Sequence, residues 1–164
     1  MDEKIESSVV SSHSPQPKAY GLPVIHVVAG ALLDGQGRVL IAQRPPGKHM
    51  AGGWEFPGGK LQADELPLDG LRRELQEELD IQMLQAEWLA ACQHDYPDRR
   101  VVLELWTVPA FSGEPRSLDG QALRWVVFSE LETAGLLPAD KPLVAALVNK
   151  LIKPTSDLRG HSQS

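Results

Sequence analysis

The chain of 164 residues holds a single cysteine, so it forms no internal disulfide. Cys92 closes the apolar stretch Trp88-Leu89-Ala90-Ala91-Cys92 and is expected to be a buried structural thiol. Basic residues are outnumbered, 16 against 22 acidic ones, for a net charge of −6. That balance argues against a general polynucleotide binder, which needs a broad basic footprint, and leaves any polyanionic substrate to be met by a few local cations. No apolar run approaches the roughly 18 residues of a membrane span. The start, Met1-Asp2-Glu3-Lys4, has neither a basic n-region nor an apolar h-region, so a cytoplasmic location is expected.

What is present fits one soluble globular domain, with 42% hydrophobic and 23% charged residues, enough for a core that folds alone. Residues 1–23, rich in Ser and Pro, read as a flexible tail, 24–153 as the domain and 154–164 as a second tail. The apolar run from Ile25 to Leu33 meets Asp34-Gly35-Gln36-Gly37 and resumes at Val39, which predicts a hairpin. Short strands are expected at Trp54-Glu55-Phe56, near Met83 to Gln93, at Val101 to Val108 and at Leu123 to Phe128, with Tyr96-Pro97-Asp98-Arg99 as a loop. Helices are expected from about Leu66 to Leu79, with Pro67 in the first turn, and from Lys141 to Leu151. Two helices around a mixed or antiparallel sheet make a layered α/β arrangement of the α+β kind.

The first helix carries the chemistry. On a wheel of roughly 100° per residue, Leu68, Leu71, Leu75 and Leu79 form one stripe, and Glu74, Glu77 and Glu78 lie on the adjoining side. Glu74 and Glu78 are like charges one turn apart, and Glu77, Glu78 and Asp80 crowd a helix C-terminus, where the macrodipole favours cations. A divalent cation would reverse both penalties; a solvated acidic face is the alternative for these three glutamates taken alone.

Gly59, Glu65, Arg73, Glu74, Leu75, Glu77, Glu78 and Ile81 stand at the spacing G-x5-E-x7-R-E-U-x-E-E-x-G-U, where U is apolar, and so resemble the Nudix box. Asp80 alone departs, replacing the second glycine, and Asp visits the left-handed backbone region more readily than most residues. The similarity runs from about Ile25 to Val148 and is strongest to the MutT-like nucleoside triphosphate pyrophosphohydrolases. It rests further on Arg44, His49-Met50-Ala51, Glu55-Phe56-Pro57-Gly58-Gly59-Lys60, Tyr96-Pro97-Asp98-Arg99 and Pro138-Ala139-Asp140. It sharpens the fold to a Nudix α/β/α sandwich with a mixed sheet.

The resemblance implies a Mg²⁺ site, with Mn²⁺ as an alternative, built from Glu74, Glu77, Glu78 and the Gly58 carbonyl, and Asp119 as an acid from outside the box. Oxygen donors of this kind suit a hard cation. Glu104 is the runner-up to Asp119, and a turn aspartate is the plain reading of Asp119 itself. Glu74 is the expected base or water-orienting ligand, and Arg73 with Glu65 a buttress behind the metal shell. Arg44 and Arg99 are candidate phosphate cations and Lys60 a third, while His49 is expected to stabilise its loop. Phe56 and Tyr96 resemble positions lining a nucleobase pocket, and Asp140 one that meets the base edge, with a helix N-cap as its other role. The implied reaction converts a nucleoside triphosphate to the monophosphate and pyrophosphate, with 8-oxo-dGTP as the leading substrate. A CTP-like or other pyrimidine triphosphate is the alternative, and a nucleotide-sensing module without catalysis the second alternative. A small-molecule substrate, no polynucleotide, no membrane and a monomer or homodimer complete the expectation.

Overall fold

Five consecutive buried residues, Val28 to Leu32, place β1 (Val24–Leu32) at the centre of the molecule. A strand buried on both faces must be covered by two layers, and alternation along it sorts the layers. Val28 and Leu32 pack with Leu71, Leu75 and Leu79 of α1 (Pro67–Leu79), whereas Ala29 and Ala31 pack with Leu143, Val144 and Leu147 of α2 (Lys141–Ile152). The helices therefore cover opposite faces, which gives the layered α+β arrangement expected. The computed structural model describes residues 21–152; the expected tails lie outside them, apart from residues 21–23, which lead into β1.

The remaining elements are β2 (Arg38–Gln43), β3 (Trp54–Glu55), β4 (Gly58–Lys60), β5 (Gln82–Tyr96), β6 (Arg99–Ser112), β7 (Leu123–Val127) and a 3-10 turn, Phe128–Thr133. They form a four-stranded sheet ordered β4-β1-β6-β5 and a three-stranded sheet ordered β3-β2-β7. The larger sheet is mixed: β1 runs parallel to β6 and antiparallel to β4, and β5 antiparallel to β6.

The expected β1–β2 hairpin does not form as a ladder. Asp34 closes the turn, its Oδ1 accepting the Gln36 and Arg38 amides at 2.7 and 3.1 Å, yet only Leu33 and Val39 pair across it. Both edges of β1 are occupied by β4 and β6, so β2 enters the second sheet. The β5–β6 hairpin is longer than expected: Gln82 pairs with Ser112 and Tyr96 with Arg99. Cys92 is half-buried, and its thiol donates to the Ala139 carbonyl at 3.1 Å. Among the described residues no helix is long and apolar enough to cross a membrane.

α1 begins at Pro67, where the missing N–H costs nothing, and ends at Asp80, which adopts φ 55 and ψ 42. The left-handed cap expected of Asp80 is present, with its N–H donating to the Gln76 carbonyl at 3.2 Å.

Candidate active site

A cavity of about 950 Å³ opens where β1, β3, β4, α1, the tip of the β5–β6 hairpin and the start of α2 converge. Glu74 and Glu78 reach it from α1, one turn apart. Gly58 and Gly59 of β4 form a backbone-only wall: a Cβ on Gly59 would lie 2.4 Å from the Glu74 carboxyl, and one on Gly58 2.0 Å from the Val28 carbonyl oxygen. The Gly58 N–H donates to Glu78 Oε2 at 3.3 Å. Burial, followed by the charges of Glu74, Glu55 and Asp119, pushes the Glu78 carboxyl up to about 8.

Arg73 stands behind this group. Its Nε and Nη2 donate to the two oxygens of Glu65, both at 2.8 Å, its Nη1 to Glu74 at 2.9 Å and to Glu77 at 3.2 Å, and Nη2 also to the Lys60 carbonyl at 3.2 Å. Glu65 is held well below the ordinary carboxylate value, near 2, chiefly by its hydrogen bonds to Arg73. Such a group stabilises the fold above its unfolded value of 4.5 and loses that stabilisation as pH falls towards 2. Arg73→Ala is therefore expected to lower Tm at pH 7 by about 3 °C and to flatten the acid-side loss of Tm, read by thermal melts across pH. Arg73→Lys, which keeps the charge and loses the fork, should fall between.

Glu77 is placed differently from Glu74 and Glu78. Its side chain is 59% exposed, rests on Arg73 and does not line the cavity. Among the described residues no three acidic, His or Cys side chains gather at coordinating distances. The donors that fit a hard divalent cation are the Glu74 and Glu78 carboxylates and the backbone oxygen of Gly58, with Glu77 one helical turn from Glu74's side of the group. Charge supports the fit, because Glu78 faces three like charges and only a backbone N–H favours its ionised form.

Asp119 and Gln121 also line the cavity; Glu104, the alternative to Asp119, does not, and accepts the Trp106 indole N–H at 3.0 Å instead. Among the cations, Arg44 is already engaged, donating from Nη1 to both oxygens of Glu55 at 3.2 and 3.0 Å and from Nε to the His49 carbonyl at 2.6 Å. Arg99 keeps a buried Nε without a hydrogen bond, loosely paired with Asp98 Oδ1 at 3.4 Å, and Lys60 lies exposed on the rim. A guanidinium donor without a hydrogen bond is open to a phosphate oxygen.

Asp140 is 4% exposed and faces the cavity. Burial, then the charge of Glu55, lifts its carboxyl to about 8, against the opposing pull of the Phe56 N–H and Arg44. Its carbonyl accepts the Leu143 N–H at 3.0 Å, as the carbonyl of an N-cap residue does, while its side chain is engaged by the Phe56 N–H. Phe56 is buried in the α2-side core and still contributes to the cavity wall. The Tyr96 ring meets His49 edge-on with centroids 5.0 Å apart and His94 at 4.6 Å.

Glu55 is the functional-site residue that sequence reasoning passed over. It is half-buried, opposes the ionisation of both Glu78 and Asp140, and is itself raised by burial despite Arg44. A lone acid between two aromatics, in a stretch bracketed by Gly52-Gly53 and Gly58-Gly59, was the available signal. Gln121 carries a second one, a buried Oε1 with no partner, which only the fold reveals.

Comparison with known proteins follows the same outline. A profile of the NUDIX domain matches residues 28–146. The CTP pyrophosphohydrolase of Escherichia coli K12 is 40% identical over 127 residues, covering 77% of this chain and 93% of that protein. The 8-oxo-dGTP diphosphatase of Proteus vulgaris is 46% identical over 90 residues, 55% of this chain and 80% of the relative. A solved MutT, from work on the proteins of Aliivibrio salmonicida and Vibrio cholerae, aligns with a TM-score of 0.67 at 31% identity, covering 77% of this chain and 98% of its own.

Proposed function

The chain belongs to the Nudix hydrolase family, in its MutT-like part, and from that premise we propose that it cleanses the nucleotide pool by hydrolysing 8-oxo-dGTP to the monophosphate and pyrophosphate. It is a hydrolase of nucleotide diphosphate bonds. The observation that carries the finer reading is one cavity serving two tasks. The Gly58 N–H meets Glu78, and two residues earlier the Phe56 N–H faces Asp140, at most about 7 Å of backbone away.

Family members use divalent metals, and here Mg²⁺, or Mn²⁺, would be held by Glu74, Glu78 and the Gly58 oxygen, with Glu77 and Asp119 adjacent. When bound, the ion offsets phosphate charge and lowers the pKa of a coordinated water. Glu74, oriented by Arg73 Nη1, orients the attacking water or takes its proton. Water adds to the β phosphorus, and the bridging oxygen leaves with the nucleoside monophosphate. Arg99, Lys60 and Arg44 take up phosphate oxygens, Arg44 while sharing its charge with Glu55. Phe56 and Tyr96 flank the base, and Asp140 reads its edge.

At neutral pH the Asp140 carboxyl is protonated, so it offers one donor and one acceptor. That pair matches O6 and N7–H of 8-oxoguanine, whereas guanine presents an acceptor at N7, which leaves one contact repulsive. It also matches N3 and the exocyclic amine of cytosine. A CTP-preferring enzyme is therefore the second reading, supported by the 40% identity to a CTP pyrophosphohydrolase. A panel of 8-oxo-dGTP, dGTP, CTP and 5-methyl-dCTP with Mg²⁺, products identified, is expected to rank 8-oxo-dGTP above dGTP by at least about tenfold in kcat/KM. Chelation should abolish turnover. A CTP maximum would establish the second reading, and binding without product a sensing module. The proposed setting is the cytoplasm, as a monomer or homodimer.

A further inference from the structure

Between β6 and β7 the chain crosses from Gly113 to Ala122 without regular structure, and that loop carries Asp119 and Gln121 into the cavity. It is fastened to the C-terminus of α1. The Arg116 amide donates to the Leu79 carbonyl at 3.1 Å and the Leu118 amide to the Glu78 carbonyl at 3.0 Å, so the loop supplies donors that the last helical carbonyls would otherwise lack. Gly113, at φ 96, enters against the Asp80 carbonyl, where a Cβ would lie 3.2 Å from its oxygen.

One side chain joins this junction from each side. Arg116 donates from Nε and Nη2 to Asp80 Oδ2 at 3.1 and 2.8 Å, while Asp80 Oδ1 accepts from the Gln76 side-chain Nε2 at 3.1 Å. Both carboxylate oxygens are thus committed, one to the helix and one to the loop. Helix capping does not account for the carboxylate: at φ 55 a glycine would terminate α1 at lower strain. Net stability does not account for it either, because Arg116 is 70% exposed and exposed ion pairs contribute little. What the pair does add is a side-chain tie between the end of α1 and the loop, three residues before Asp119.

We propose that Asp80 and Arg116 are positioning residues, which hold the loop so that the Asp119 carboxylate faces Glu78 across the cavity. The proposal rests on the reading of Asp119 as an acid of the catalytic site. Small errors in the placement of a charged group cost rate without costing fold, so the signature is kinetic.

The test uses the full chain with a nucleoside triphosphate and titrated Mg²⁺, together with thermal melts and hydrogen exchange. Asp80→Gly and Arg116→Ala are each expected to keep the wild-type Tm within about 3 °C, lower kcat by about threefold to tenfold, raise the Mg²⁺ needed for half-maximal rate and speed exchange at the Leu118 amide. Arg116→Lys should recover part of the loss. In an Asp119→Ala background, Asp80→Gly should change the rate no further. Wild-type kinetics in Asp80→Gly, beside a clear loss in Asp119→Ala, would overturn the positioning role alone. Additive losses would do the same, since they show Asp80 acting through another group. Wild-type kinetics in Asp119→Ala would overturn the reading of Asp119, and the proposal with it.

Discussion

Glu78→Gln is expected to lower turnover at saturating Mg²⁺ at least about 100-fold while the protein remains folded. The amide is nearly isosteric and its oxygen still accepts the Gly58 N–H, so local geometry is retained. What disappears is the ionisable oxygen that a bound cation would draw on, at a carboxyl that burial and three neighbouring acids hold at about 8. The same substitution removes a carboxyl whose ionised form is opposed by burial and by Glu74, Glu55 and Asp119, so Tm measured in chelator should hold or rise. Loss of activity without loss of stability separates a ligand from a structural residue. Near-native turnover, or collapse of the fold in chelator, would contradict the assignment.

The second large effect belongs to Asp140. Asp140→Ala is expected to change the ratio of kcat/KM between 8-oxo-dGTP and dGTP, or between CTP and UTP, by about tenfold to a hundredfold, with Mg²⁺ dependence unchanged. The Phe56 N–H would lose its partner, and the base edge both of its contacts. Asp140→Asn keeps a donor and an acceptor that do not titrate. The Asp140 carboxyl near 8 lies above its ordinary 3.8, so its contribution to stability is complete below pH 3.8 and fades as pH rises through about 8. Its donor is lost in the same upper range. Wild-type kcat/KM for the favoured base should therefore decline above pH 8 more steeply than that of Asp140→Asn. Parallel profiles, or an unchanged substrate ranking in Asp140→Ala, would remove Asp140 from base recognition.

The helix that carries the acids was readable because its leucine stripe and its glutamates obey one period, and burial of Leu71, Leu75 and Leu79 fixes which way the glutamates point. Asp80 was readable for the same local reason, a backbone preference at a helix end. β4 was hidden, since Gly58-Gly59-Lys60 has no strand propensity and pairs with β1 only because a close-packed wall excludes side chains there. The separation of β1 and β2 into two sheets was hidden as well. A turn sequence specifies a reversal, whereas the partner of each strand is decided by competition among distant segments. Glu77 marks the limit of spacing arguments: a helix places it near its neighbours, but Arg73 draws it outward. Glu55 stands in a matched stretch but was given no role there, because its effect comes from groups brought to it by folding.

The sorting of β1 side chains to opposite faces has a consequence for change over time. Glu74 and Glu78 are anchored through the leucines beneath α1, whereas Phe56 belongs to the cluster beneath α2, whose first turn follows Asp140. Substitutions confined to one packing layer tend to leave the other undisturbed, and the coupling between them is concentrated in Glu55, which bears on both Glu78 and Asp140. On the proposed reading, a lineage or an engineer can thus retune which letter is picked while leaving the scissors alone, as long as Glu55 stays in place.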